Sequence, residues 1–269
     1  MKNDPLVSII ITNFNKSRFI IQSLQSCLVQ KYRKIEVIFF DDKSTDNSLQ
    51  RVIDFKKKND LKIKILSNKN KKNYSAPTNQ IIAINQSLKY VKGEYVFFLD
   101  SDDFFHKDKI FEIINIYKQD SGKKMISDLP TFKYRSKKIK KYFTNLNVEN
   151  KWPKFPPTSC MSFETKTLKK IIKKINFKNY PNLAIDFFLA VYYHIILKKF
   201  YIYNLHLTYY RQVNDGTDSI YRKFITKKWW KRRKEAFEFL NDLMIRNNLQ
   251  INKSFDFILT RFINFIFKI

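Results

Sequence analysis

Asp41-Asp42 directly follows the apolar run Val37-Ile38-Phe39-Phe40, and Asp100-Ser101-Asp102-Asp103 directly follows Tyr95-Val96-Phe97-Phe98-Leu99. Carboxylates gathered where strands run out suit a divalent cation and the hydroxyls and ring nitrogens of a nucleotide. Asp is also common in the turns and caps that follow strands, so a single cluster of this kind would carry little weight. Two of them, in a chain with 52 basic and only 24 acidic residues, point to a ligand site.

The elements that must position these acids alternate along the first hundred residues. Val7–Thr12 reads as a buried strand and Ser17–Val29 as a helix with Ile20, Leu24, Cys27 and Leu28 on one face. Ile35–Phe40 is a second strand. Ser44 or Thr45 is placed to cap the next helix, whose apolar positions are Leu49, Val52, Ile53 and Phe55. Lys62–Leu66, a helix over Pro77–Val91 and the strand Tyr95–Leu99 complete a βαβαβαβ order. That order predicts an α/β fold with a mostly parallel sheet flanked by helices, and both acidic clusters fall at its ligand-binding edge. Further on, helices are expected at Asp108–Gln119, Thr165–Ile175 and Ala184–Leu197, with strands at Met125–Ser127 and around Tyr201–Leu205. Trp152-Pro153 and Pro156-Pro157 mark a loop, and Lys133–Lys141 reads as solvated basic surface.

Bulk composition narrows the class. With 44% hydrophobic and 16% aromatic residues, the 269-residue chain has ample material for a core. Three glycines exclude glycine-rich phosphate loops, and neither a GxGxxG nor a Walker sequence is present. The formal net charge of +28 favours an anionic partner, with a solvated lysine-rich surface as the plain alternative. Cys27 and Cys160 form no metal-spaced set; Cys27 falls in the apolar pattern of a helix and reads as a buried thiol, and a reducing compartment is expected. No segment reaches the ~20 apolar residues of a membrane span, and the expected location is cytoplasmic.

Three stretches carry a resemblance: Val7-Ser8-Ile9-Ile10-Ile11-Thr12-Asn13-Phe14-Asn15, the run from Glu36 to Ser48, and the run from Gly93 to Asp103. In order and spacing they resemble a family 2 glycosyltransferase of GT-A fold over residues 6 to about 110. Pro156–Ser159, Asp186 and Tyr210-Arg211 resemble the acceptor half of bacterial members. The resemblance implies a GT-A domain over residues 1–225, divided into a nucleotide-sugar half (1–110) and an acceptor half (111–225), with a basic, aromatic helical tail at 226–269. It implies inverting transfer of a sugar from a nucleoside diphosphate, UDP being the expected carrier, to a glycan or lipid-linked acceptor. Thr12, Phe14, Asp41, Asp42, Asn79, Asp100, Asp102 and Arg211 match donor-binding positions. Asp102 with Asp100 matches the site of a Mn2+ or Mg2+ ion, and Asp186 matches the general base. Asp186 also has a plainer reading, as a polar residue on an amphipathic helix.

Three positions depart from the family pattern. Phe14 stands where many relatives have Tyr, Thr78 replaces an Arg that contacts the diphosphate, and Val213 replaces a His. Asn214, Asp215, Arg211 or lysines are then the candidates to compensate. Other readings remain open: an inactive relative acting as a basic membrane- or nucleic-acid-binding protein, or a nucleotidyltransferase on the same fold. Nucleic-acid binding is disfavoured because no recognised module accompanies the charge. The tail, with Lys227–Lys234 enclosing two tryptophans and a broad apolar stripe in Phe255–Ile269, is expected to meet an anionic membrane, making the protein peripheral, or to pack in a homodimer.

Overall fold

The computed structural model describes residues 4–68, 74–134, 138–140, 155–213, 225–251 and 253–268. Trp152-Pro153, Asn214, Asp215 and part of the Lys133–Lys141 run lie outside the described residues. The strands are β1 (Val7–Asn13), β2 (Ile35–Asp41), β3 (Ile63–Ser67), β4 (Tyr95–Asp100), β5 (Phe104–Phe105), β6 (Met125–Ser127), β7 (Pro130–Lys133), β8 (Lys138–Lys140), β9 (Met161–Glu164), β10 (Phe200–Ile202) and β11 (Thr208–Arg211). The α-helices are α1 (Ile20–Leu28), α2 (Ser48–Lys58), α3 (Ala76–Ser87), α4 (Lys109–Gln119), α5 (Thr165–Lys174), α6 (Ile185–Val191), α7 (Lys227–Arg246) and α8 (Phe255–Ile266).

Seven strands form the main sheet in the order β10-β6-β9-β4-β1-β2-β3, parallel except for β9. Strand alternation assigns successive side chains to opposite faces. Ile9, Ile11, Val37, Phe39, Phe97 and Leu99 pack with α1, α2 and α4, while Ile10, Ile38, Val96 and Phe98 pack with α3, α5, α6 and α7. These strands are buried on both faces, which is why they read as unbroken apolar runs. Cys27 and Cys160 are buried thiols; burial raises both, Cys27 to about 12.

Several expectations need correction. Neither Ser44 nor Thr45 caps α2, which starts at Ser48. Both residues instead reach across to the loop after β1: Asn13 Nδ2 donates to Ser44 Oγ at 3.0 Å, and Thr45 N donates to Asn15 Oδ1 at 2.7 Å. Asp46 fills the role they vacate, accepting from Ser48 N at 2.9 Å. The helix expected to run to Leu197 ends as α at Val191 and continues as a π-helical turn over Tyr192–Ile196. That wider turn accompanies the fully buried Tyr193, whose ring lies 5.5 Å from Phe163. The strand expected around Tyr201–Leu205 occupies Phe200–Ile202. A second sheet, β5-β11-β7-β8, was not anticipated; its strands are two to four residues long, too short for a periodic signal.

α7 is welded to the core around α6. Ala236, Phe239, Leu240, Leu243 and Met244 enter the same core as Phe187 and Phe188, Tyr180 Oη donates to Asp242, and Asn182 donates to Glu235. α8 contributes no residue to either core among the described residues.

Gly93 lets the turn before β4 close on β1. A Cβ there would lie 2.5 Å from Ser8 N and 2.8 Å from the Leu6 carbonyl oxygen, both main-chain atoms that cannot step aside. Gly93→Ala is expected to cost about 1–3 kcal/mol in urea unfolding, the usual range for overpacking. An unchanged midpoint would mean that the β1–β4 junction yields.

Candidate active site

β1 lies between β2 and β4, with Thr12 in register with Phe40 on one side and Asp100 on the other. This parallel register sets Asp41-Asp42 and Asp100–Asp103 side by side at the carboxyl edge of the sheet, flanking Thr12 and Phe14. Phe14 is 41% exposed there.

The β1 and β2 loops are zipped together. Asp41 is buried; its Oδ1 accepts from Asn13 Nδ2 at 2.9 Å and Ser44 Oγ at 2.6 Å, and its Oδ2 from Ser44 N at 2.9 Å. Its role is therefore to hold the loop, not to line the cleft as a donor contact. Asp42 is half-buried, its main chain donates to Asn13 O at 2.8 Å, and Asn68 Nδ2 donates to its Oδ1 at 2.9 Å. That leaves Asp42 as the acid presented by this loop.

The second acidic turn is seated from beneath. Asp103 is completely buried, accepting from Ser159 Oγ at 2.6 Å and from Arg211 N at 2.8 Å. Burial, and then the Asp102 and Asp100 carboxylates, push its carboxyl well above the usual range. Ser159 Oγ also accepts from Asp100 N at 3.0 Å, so the Pro156–Ser159 segment braces both ends of the turn. From the other side Ser23 of α1 donates to the Asp103 carbonyl.

Beneath Ser159 lies a fully buried ion pair. Lys109 Nζ is 2.6 Å from Asp128 Oδ1, 2.9 Å from the Ser159 carbonyl and 2.5 Å from Thr208 Oγ1. Asp128 Oδ2 accepts from Thr208 Oγ1 at 2.8 Å and Leu207 N at 3.1 Å. Both charges, and all three protons of the ammonium, have partners, the condition for a tolerable buried pair. Burial raises the Asp128 carboxyl, and Lys109 opposes that rise.

Arg211 behaves differently from a free donor contact. Its guanidinium stacks 4.7 Å over Phe104 and 5.0 Å over Phe19, and donates to the Asp102 carbonyl and to Gln22. It clamps the backbone of the acidic turn. Lys16 Nζ lies 3.4 Å from Asp102 Oδ2. Lys16, Arg18, Lys133 and Arg211 together line a recess of about 570 Å³ that also contains Val213.

Gln80, missed in the sequence reading, donates to Asp100 Oδ1 at 2.6 Å and lies 3.5 Å from Thr12 Oγ1. Its neighbour Asn79 is half-buried on α3, donating its main chain to Ser75 O. Thr78, in place of the family's Arg, is buried: Ser75 donates to its Oγ1 at 2.9 Å, and its hydroxyl lies 3.4 Å from the Pro181 carbonyl. Ser75, the N-cap of α3, bonds the same carbonyl. The helix that steadies Asp100 is thereby tied to the loop leading into α6. Asp186 sits in the first turn of α6, half-buried between buried Ile185 and Phe187, with Oδ1 accepting from Phe187 N at 2.8 Å.

Among the described residues there is no ready-made cage of three or more His, Cys, Asp or Glu groups. A Mg2+-like ion takes one or two carboxylates and completes its sphere with phosphate oxygens and water. The ammonium of Lys16 beside Asp102 marks the same spot as favourable for positive charge. The residues present therefore fit a divalent ion at Asp102, with Asp100 nearby.

Comparisons with known proteins agree with this geometry. The glucosyltransferase WfgD of Escherichia coli, described as transferring from UDP-Glc to α-D-GlcNAc-diphosphoundecaprenol, is 37% identical over 108 residues, 40% of this chain and 39% of its own. The chain spans about half the length, or less, of the curated relatives it matches. Staphylococcus aureus TarS 1–349 with UDP-GlcNAc superposes with a TM-score of 0.64 at 16% identity, covering 96% of this chain and 72% of that one. The Pyrobaculum calidifontis mannosyltransferase PcManGT with GDP-Man and Mn2+ gives 0.63 at 14% identity, over 91% and 65%. At those identities the likeness establishes the GT-A fold. No described helix is long and apolar enough to cross a membrane. The family model for glycosyl transferase family 2 matches residues 8–172, more than half of the chain, and the chain belongs to that family.

Proposed function

We propose that the protein is an inverting glycosyltransferase that moves a sugar from a nucleoside diphosphate, UDP being the favoured carrier, to a hydroxyl of a glycan or lipid-linked glycan. The observation that carries this reading is the convergence of Asp42, Thr12, Asp100 and Asp102 on one sheet edge, with Asp186 on a helix tied to the same edge through α3. Phe14 and Asp42 suit the base, one by stacking and one by accepting its N–H, and Asp100, oriented by Gln80, suits the ribose hydroxyls. Asp102, with Asp100, would hold the Mn2+ or Mg2+ ion. When bound, that ion supplies positive charge against the diphosphate. Lys16, Arg18 and Lys133 add cations in the recess beside it, offsetting the missing Arg and His.

Asp186 accepts the acceptor's hydroxyl proton as that oxygen forms its bond to the anomeric carbon. The bond to the diphosphate breaks on the opposite face, the nucleoside diphosphate leaves with the electron pair, and configuration inverts.

Thermal unfolding with UDP, GDP, CDP and dTDP, each with and without Mn2+, tests the reading. The matching diphosphate at ~100 times its dissociation constant adds about 2.7 kcal/mol. A response to UDP that requires metal is the expected result, and silence towards all four would remove the donor site. Asp102→Ala is expected to weaken the metal-dependent part of UDP binding by about a hundredfold or more, since even partners behind a metal ligand are worth 10–100-fold. Binding by that variant as tight as wild type would dismiss Asp102 as the metal residue.

A further inference from the structure

α8 packs by its polar side. Thr260 and Asn264 are its buried residues: Thr260 Oγ1 accepts from Arg233 Nε at 3.1 Å, and Asn264 Nδ2 donates to the Trp230 carbonyl at 3.2 Å. Asp256 pairs with Arg233 at 2.6 Å. The opposite side carries Phe255, Ile258, Phe262, Phe265 and Ile266, which are 76, 57, 59, 83 and 55% exposed. At 100° per residue these five fall within an arc of about 100°. The apolar stripe thus points away from the protein, while Thr260, Asn264 Nδ2 and Asp256 make their bonds inward to α7. An exposed apolar face of this size marks a partner surface.

Charge selects the partner. Lys227, Lys228 and Lys231 are exposed at the start of α7, Arg261 is exposed on α8, and Lys268 is exposed just past its end. A second copy would set the same cations against these. An anionic bilayer accepts the apolar stripe and the flanking cations together. The 12 residues of α8 span about 18 Å, well short of the ~30 Å hydrocarbon core, so the helix can lie along a bilayer but not cross it.

We propose that α8 lies in the surface of an anionic lipid bilayer, its Phe262–Phe265 side among the acyl chains and its basic flank at the headgroups, with α7 as the mount. This assignment is independent of the donor site.

The test is co-sedimentation of the full chain with vesicles of phosphatidylcholine alone and of phosphatidylcholine with phosphatidylglycerol. Retention by the anionic vesicles, weakened by salt, is expected, and Phe262→Asp with Phe265→Asp should lower it at least about tenfold. Both residues lie outside the two cores and the candidate active site, so the variant keeps its thermal midpoint and its UDP response. Should it fail to fold, Phe262→Ser with Phe265→Ser serves instead. No retention by anionic vesicles overturns the proposal, as does equal retention of wild type and variant. A wild-type dimer in light scattering that the substitutions dissociate also overturns it, making a second copy the occupant.

Discussion

Asp186→Asn is expected to lower the turnover of sugar transfer by about 10²–10⁴-fold, the range that a positioned general base contributes. The substitution keeps shape and keeps an oxygen for the Phe187 N–H, so α6 retains its first turn. Nucleotide binding and the thermal midpoint should therefore match the wild type, because Asp186 belongs to a different element from the donor-side acids. Transfer assayed by UDP release, beside UDP titration, separates the two effects. Wild-type turnover would remove Asp186 as the base; lost nucleotide binding would give it a structural role.

Lys109→Met should produce the largest stability loss, about 3–5 kcal/mol, since it leaves the Asp128 carboxylate buried without its cation. The loss is expected to shrink as pH falls. In the variant, burial acts on Asp128 with only the Thr208 and Leu207 bonds to oppose it, so its folded-state value lies further above the unfolded 3.8 and protonation favours the folded form. Adding Asp128→Asn should return part of the stability, as the amide oxygen still accepts from Thr208 and Leu207. Urea unfolding of the two singles and the double gives the coupling. Equal losses added together would show that the pair does not interact. Donor binding should fall in Lys109→Met as well, because the Ser159 carbonyl loses one of its partners.

The legible part of this protein was the part built from periodic runs. Strands buried on two faces announce themselves, and the acids stood directly behind them, so the sheet edge on which they converge could be located by residue number. Side chains that act by reaching across the fold could not. Ser159 reads as a loop residue after two prolines, and its two bonds to the acidic turn span 59 and 56 positions. Gln80 reads as a helix polar position, and Lys109 as one lysine among many. Asp41 and Asp42 are adjacent in sequence, and only the fold separates the one that turns inward from the one that faces the cleft. In α8 the apolar stripe was visible, but its outward direction was not, because periodicity reports a face without saying what lies against it.

The acidic turn leaves the ribosome long before the residues that seat it. Asp103 receives its main-chain bond from Arg211, 108 positions downstream, and Lys109 meets Thr208 across 99. A nascent chain that has just emerged past Asp103 can pair its first strands, yet it carries three acids with nothing beneath them. Contacts of such long range form late, after chain closure has been achieved by other means. The seat beneath Asp103 is complete only once translation has delivered Thr208 and Arg211 on the far side of the second sheet, and a message cut short in between yields a chain that keeps its acids and lacks that support.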